Sequence, residues 1–182
     1  MLFSTFRSIL SGQSVDIWAV LAQVLSILFV IFCILPLHEF AHGWVANKLG
    51  DPTANLDGRL TMNPLASVDP MGSLALLLFG FGWAKPVPVD SRYFKKPKRD
   101  LAITALAGPV SNLLAALVGA FALVAIQVFA PHNWVISFLF NMFYYYVVVN
   151  ISLAVFNLIP VPPLDGSRII GAFISDRALA TY

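Results

Sequence analysis

The sequence predicts an all-α polytopic membrane protein, with three core transmembrane helices and a re-entrant or short β segment between the first and the second. Three observations predict it. Of the 182 residues, 59% are hydrophobic and only 11% are charged, against roughly 25% charged in an average soluble domain. The mean hydropathy is +0.82, and a chain of this size could not hide that much apolar surface in water, so the bilayer is its natural solvent. The apolar residues also form runs long enough to cross a membrane, separated by polar, proline-bearing segments. The length suits a single domain over residues 1–182. A net charge of +2 is too small to point to nucleic acid. The one cysteine, Cys33, lies in an apolar run, cannot form an intrachain disulfide and says nothing about compartment.

The first span runs from Ile17 to about Leu37, and its helical pattern continues through HEFAHGWVANKLG to about residue 49. At 1.5 Å per residue it can cross ~30 Å of hydrocarbon. The preceding MLFSTFRSILSGQSVD has Arg7 but no cleavage site after a short core, so the span is expected to be a retained membrane helix. Gly50, Asp51 and Pro52 stop it. Pro36, inside the helix just before His38, should free a carbonyl and kink the helix. Residues 51–70 are rich in Pro, Asp, Asn and Gly and read as turns with short extended pieces. The apolar segment 71–84 has only fourteen residues, which suits a re-entrant or strand-loop segment better than a crossing. Residues 87–100 form a polar, basic loop.

A second span covers about 101–130 and is interrupted by Gly108, Pro109, Ser111 and Asn112. A third covers about 134–158. PVPPLDG (160–166) breaks it, and a C-terminal helix is expected from 166. No repeat or low-complexity segment is present. With residues 51–100 and the C-terminal tail on one side, nine of the eleven Lys and Arg lie in them, Lys48 lies at the adjoining helix end on the same side, and Arg7 lies opposite. The positive-inside tendency makes that side cytoplasmic. This topology needs residues 71–84 to be re-entrant, since a crossing there would weaken the bias.

HEFAH (38–42) carries the chemistry. On a helix, positions i and i+4 share a face, so His38 and His42 can bind one metal ion. Glu39 lies about 100° around the axis, where it could take a proton from a water at the metal. It is the only glutamate in the chain, and two of the three histidines sit in this turn. Ionisable groups at membrane depth are costly and tend to be functional. The plain alternative is an interfacial turn with a solvated Glu39 and idle histidines.

A catalytic zinc site usually takes three protein ligands and leaves one position open. His132 follows Pro131 in a turn on the far side and reads as interfacial. Asp51, Asp57, Asp69, Asp90, Asp100 and Asp176 fit solvated or turn roles. Asp165 follows Pro160, Pro162 and Pro163 on the HEFAH side, where a stiff loop could present a carboxylate at a fixed point. The residue pattern alone leaves two roles open for it, metal ligand or N-cap of the next helix.

HEFAH in an apolar helix, followed by NLIPVPPLDG (157–166), resembles the site-2 protease family of intramembrane zinc metalloproteases. GRLTMNP (58–64), GWAKPVPV (82–89) and AGPVSN (107–112) resemble segments of its compact bacterial and archaeal branch, so the resemblance covers roughly residues 30–170. It implies one zinc ion held by His38, His42 and Asp165, with Glu39 as the base. It implies that Asn157 lies near the reacting carbonyl, where its amide could stabilise an oxyanion. Asn157 could equally be a packing hydrogen bonder, and Asn112 has the same two readings. The implied reaction is regulated intramembrane proteolysis, cutting single-pass membrane proteins in or near their helices. An edge strand near 58–64, or the 71–84 segment, could pair with the unwound substrate.

The chain departs from the family pattern in places. Ser67 stands where many relatives carry histidine. There is no room for a PDZ or CBS domain, and the helix after Asp165 reads as short. A membrane zinc carrier is the first alternative, but no inverted repeat supports it. An inactive helix-binding relative would have no need to keep Glu39. A structural membrane protein without metal is the third alternative. Substrate identity and oligomeric state are not legible.

Overall fold

The computed structural model describes residues 25, 28–79, 82–131 and 133–174. The chain divides into two units, Met1–Pro36 with Asn63–Pro86, and Leu37–Met62 with Val87–Tyr182. Most of the expected first span before residue 28, His132, and the tail with Asp176 lie outside the described residues.

In the first unit a π-helical turn, Val30–Ile34, leads into helix α1 (Leu35–Leu49). Pro36 has no N–H to give to the preceding turn, and a π-helical turn immediately precedes the helix that carries it. After the short helix α2 (Thr53–Leu56), which belongs to the second unit, two helices follow in this unit: α3 (Pro64–Ser67) and α4 (Pro70–Phe79). Asn63 caps α3 by accepting from Leu65 N–H at 3.1 Å. Asp69 starts α4 by accepting from Gly72 N–H at 2.7 Å. The chain then returns across α4, and a Cβ at Gly72 would collide with the Trp83 carbonyl. With ten residues α4 is about 15 Å long, about half of the ~30 Å a crossing needs.

The short β region expected within 51–84 is not found: no strand occurs among the described residues. The reason is local. In the second unit, the N–H groups of Arg59 and Leu60 both turn back to the Ala54 carbonyl, at 2.8 and 3.0 Å. Gly58 sits at φ +66, and Asn55 O takes its N–H. Backbone groups consumed in a turn cannot form a ladder.

The second unit holds the rest of α1, α2 (Thr53–Leu56), a 3₁₀ turn at Ser91–Tyr93, and three further helices. Helix α5 (Pro97–Phe129) runs unbroken through Pro109, α6 is Trp134–Asn157, and α7 is Asp165–Gly171. Helix α5 packs against both α6 and α7. Two aspartates expected to be solvated are instead buried. Asp51 accepts from Thr53 N–H at 2.9 Å and from Asp90 N–H at 2.7 Å, tying together two turns far apart in sequence. Asp100 accepts from Lys96 N–H at 2.9 Å and so closes the first turn of α5. Their turn roles hold; their solvation does not, because each buried carboxylate is satisfied by backbone N–H groups of the turns it closes.

Helices α5 and α6 are long and apolar enough to cross a membrane. Their polarity is distributed as lipid requires. The buried face of α5 is a stripe of small or polar residues: Ala105, Gly108, Asn112, Ala115, Ala116 and Gly119. Its outward face is apolar, with Val118, Phe121, Val128 and Phe129 exposed. Small residues let helices approach closely where lipid already solvates the large side chains. At Gly119 an added Cβ would meet Tyr146 at 2.8 Å and Val147 at 2.9 Å, so α6 leaves no room for a side chain there.

Candidate metal centre

Helix α1 brings His38 and His42 together one turn apart, as the spacing predicts. Their Nε2 atoms lie 3.1 Å apart. Asp165 Oδ2 lies 3.3 Å from His38 Nε2 and 3.2 Å from His42 Nε2. Three ligand atoms of the expected types thus form a nearly equilateral triangle. A tetrahedral ion with bonds of about 2.0–2.1 Å separates its ligands by about 3.3–3.4 Å, so the triangle fits such an ion. The histidines are buried, and Oδ2 has no hydrogen-bond partner. A buried orphan oxygen facing two imidazole nitrogens is what a cation resolves. Burial alone would raise the Asp165 carboxyl, but the two imidazoles outweigh it and hold it well below the usual carboxylate range.

The N-cap alternative for Asp165 is not what the structure shows. Asp165 is the first helical residue of α7, the cap position belongs to Leu164, and no side-chain cap bond forms there. The side chain faces the histidines instead. Gly166 explains the tight fit of this corner: a Cβ there would collide with the carbonyls of Leu158 and Ile159. The glycine lets the chain fold back against the end of α6 and carry Asp165 to the site.

Glu39 points to a different neighbour. Its Oε2 accepts from Val87 N–H at 2.8 Å. Val87 also packs on Gly43, one turn further along α1, where an added Cβ would lie 3.1 Å from Val87 Cγ2. The proline-flanked Val87 therefore seats on α1 and holds the carboxylate with one oxygen, leaving the other available. Asn157 is not brought to the triangle by any hydrogen bond; its Nδ2 donates to the Leu153 carbonyl at 3.0 Å, within its own helix.

Two residues that sequence reasoning did not place at the metal come from α5. Asn112 lies 3.2 Å from His38 Nδ1 through its amide nitrogen, a hydrogen bond between two helices of the packing kind that was one of its two expected readings. Gly108 faces both rings, and a Cβ there would come within 2.5 Å of His38 Cε1 and 2.6 Å of His42 Cε1. The signal was the small-residue stripe, which marks a close approach but not what approaches. Gly108→Ala should weaken divalent-metal binding tenfold or more. Its methyl must push the rings apart by more than the about 0.2 Å that metal geometry tolerates. Competition against a chromophoric chelator would read this, and wild-type affinity in the variant would show that the rings have room to move.

A helix-borne H-E-x-x-H pair completed by a distant carboxylate is the donor set of metal-dependent hydrolases. The comparisons narrow the class. The profile of peptidase family M50 matches residues 125–180. Curated relatives carry the name "Putative zinc metalloprotease". YwhC of Bacillus subtilis is 46% identical over 137 residues, 74% of this chain and 62% of that protein. Rip2 of Mycolicibacterium smegmatis is 34% identical, covering 72% of this chain and 51% of that protein. Rip3 of Mycobacterium tuberculosis is 32% identical, covering 77% of this chain and 28% of that protein. The chain belongs to peptidase family M50, the site-2 protease family. It spans less than two thirds of the length of these relatives. No solved structure matches it.

Proposed function

We propose that the chain is an intramembrane zinc endopeptidase that hydrolyses peptide bonds in or near the helices of single-pass membrane proteins. The observation that carries this reading is the triangle of His38 Nε2, His42 Nε2 and the orphaned Asp165 Oδ2, with Glu39 one residue from the first ligand. In this reading His38, His42 and Asp165 hold one zinc ion. When bound, the ion polarises the scissile carbonyl and makes an adjacent water more acidic. The protein is multi-pass, and the Lys and Arg bias puts the site toward the cytoplasmic side.

The chain's own residues do the rest. Glu39, anchored through Oε2 by Val87 N–H, takes the proton from the attacking water through its other oxygen. It returns that proton to the amine as the C–N bond breaks and the new C–O bond stays on the carboxyl product. Asn157 rotates its amide from Leu153 O to donate to the oxyanion. The substrate helix unwinds locally before it is cut, because a helical carbonyl is already engaged in its own hydrogen bond.

The test is cleavage of a single-pass helix with a helix-breaking segment, co-reconstituted with the protein in liposomes. Stripping zinc with a chelator should stop cleavage, and zinc added back should restore it. Undiminished cleavage by the zinc-free protein overturns the reading. So does zinc movement across the vesicle membrane without cleavage, which is the behaviour of a carrier.

A further inference from the structure

Both imidazoles present Nε2 to the triangle, so in their neutral forms each must carry its proton on Nδ1 to leave Nε2 free for a metal. For His42 the structure settles this. Its Nδ1 lies 2.8 Å from the Thr104 carbonyl, which can only accept, so the proton sits on Nδ1. For His38 the partner is ambivalent. Asn112, fully buried, lies 3.2 Å from Nδ1 through Nδ2, and its own Oδ1 is buried without a partner. An amide nitrogen donates. In that orientation His38 Nδ1 accepts, its proton sits on Nε2, and that N–H faces the lone pair of His42 Nε2 at 3.1 Å. With its proton on Nε2, His38 could not be a metal ligand.

A half-turn of the Asn112 amide exchanges Oδ1 and Nδ2 in nearly the same space. Oδ1 then accepts from His38 Nδ1–H, and Nε2 is left with its lone pair facing His42 and Asp165. Thr104 and Asn112 stand eight residues apart on one face of α5, so the same helix would hold both rings by their outer nitrogens. We propose that Asn112 is the positioning residue for His38: with its carbonyl inward it accepts from His38 Nδ1–H and leaves Nε2 free for the metal. Asparagine suits the position because it offers a donor and an acceptor of the same size. Alanine offers neither, and aspartate offers only the acceptor. The proposal rests on the metal reading of the site.

The experiment is zinc affinity by chelator competition in detergent, for wild type, Asn112→Ala and Asn112→Asp, with melting of the zinc-free proteins alongside. Loss of such an outer partner costs about 10–100-fold in metal affinity. Asn112→Ala is expected to lose that much, and Asn112→Asp to recover most of it despite a less stable zinc-free fold. A merely structural role would make aspartate the worse of the two for zinc, and that order overturns the proposal, as does wild-type affinity in Asn112→Ala. A second measurement needs no variant. The chain has three histidines, so ¹⁵N-histidine spectra of the zinc-loaded wild type can assign the ring protons. A protonated Nδ1 on His38 supports the proposal, and a protonated Nε2 refutes it. Wild type that binds no zinc at all would instead overturn the metal reading itself.

Discussion

Glu39→Gln should abolish cleavage of a reconstituted membrane substrate while leaving zinc bound and the helices intact. The substitution keeps size and shape, and the glutamine carbonyl can still accept the Val87 N–H that the glutamate Oε2 takes at 2.8 Å. The loop carrying Val87 therefore keeps its seat on α1. What disappears is a group able to take a proton from water. General-base action of this kind contributes about 10²–10⁴ in rate, and the loss should fall on kcat with little change in KM. Metal analysis and turnover, run on the same preparation, check it. Activity within tenfold of wild type would remove Glu39 from the mechanism. Loss of zinc together with activity would make it a ligand rather than a base.

Much of this site was legible in the chain because its information is local. Four residues of helix fix the His38 to His42 geometry, and an apolar run fixes that it is a helix. Asp165 was legible only through its company: three prolines and a following glycine mark a stiff corner, but residue spacing could not say whether the carboxylate capped α7 or left it. The structure distinguishes these through the collision that Gly166 avoids and the absence of any cap bond. The contacts of Val87 and Gly108 with α1 were beyond reach, and so was the partner of Asn112, for one shared reason. Each meets α1 across 48 to 74 positions of sequence; a backbone N–H or a missing side chain has no periodicity to read, and a polar side chain in an apolar helix does not name its partner. The β segment failed differently. GRLTMNP looked extended by composition, yet its first N–H groups bond back to Ala54 and Asn55, a competition that propensity does not weigh.

Asp165→Ala should empty the metal site without unfolding the protein. The carboxylate is the only charged donor in the triangle, and no second group of three His, Cys, Asp or Glu side chains able to hold a metal occurs among the described residues. Two buried imidazoles with no anion cannot offset the cost of a divalent charge taken from water. In the zinc-free protein the carboxylate contributes to folding only through the two imidazoles that hold it below its usual range, and no cap bond is lost with it. The two effects separate in a thermal scan. Wild type should hold about one zinc per chain, as a three-ligand site does, and should melt higher with zinc. A ligand at a thousandfold excess over Kd stabilises by about 4 kcal/mol. Asp165→Ala should hold a small fraction of that zinc, melt somewhat below the zinc-free wild type, and not respond to added metal. Full zinc retention would place the third ligand elsewhere and leave Asp165 as a residue that only shapes the corner before α7. Collapse of the zinc-free variant would show that the carboxylate supports the fold through His38 and His42, and would make the triangle an ion-pair network before it is a metal site.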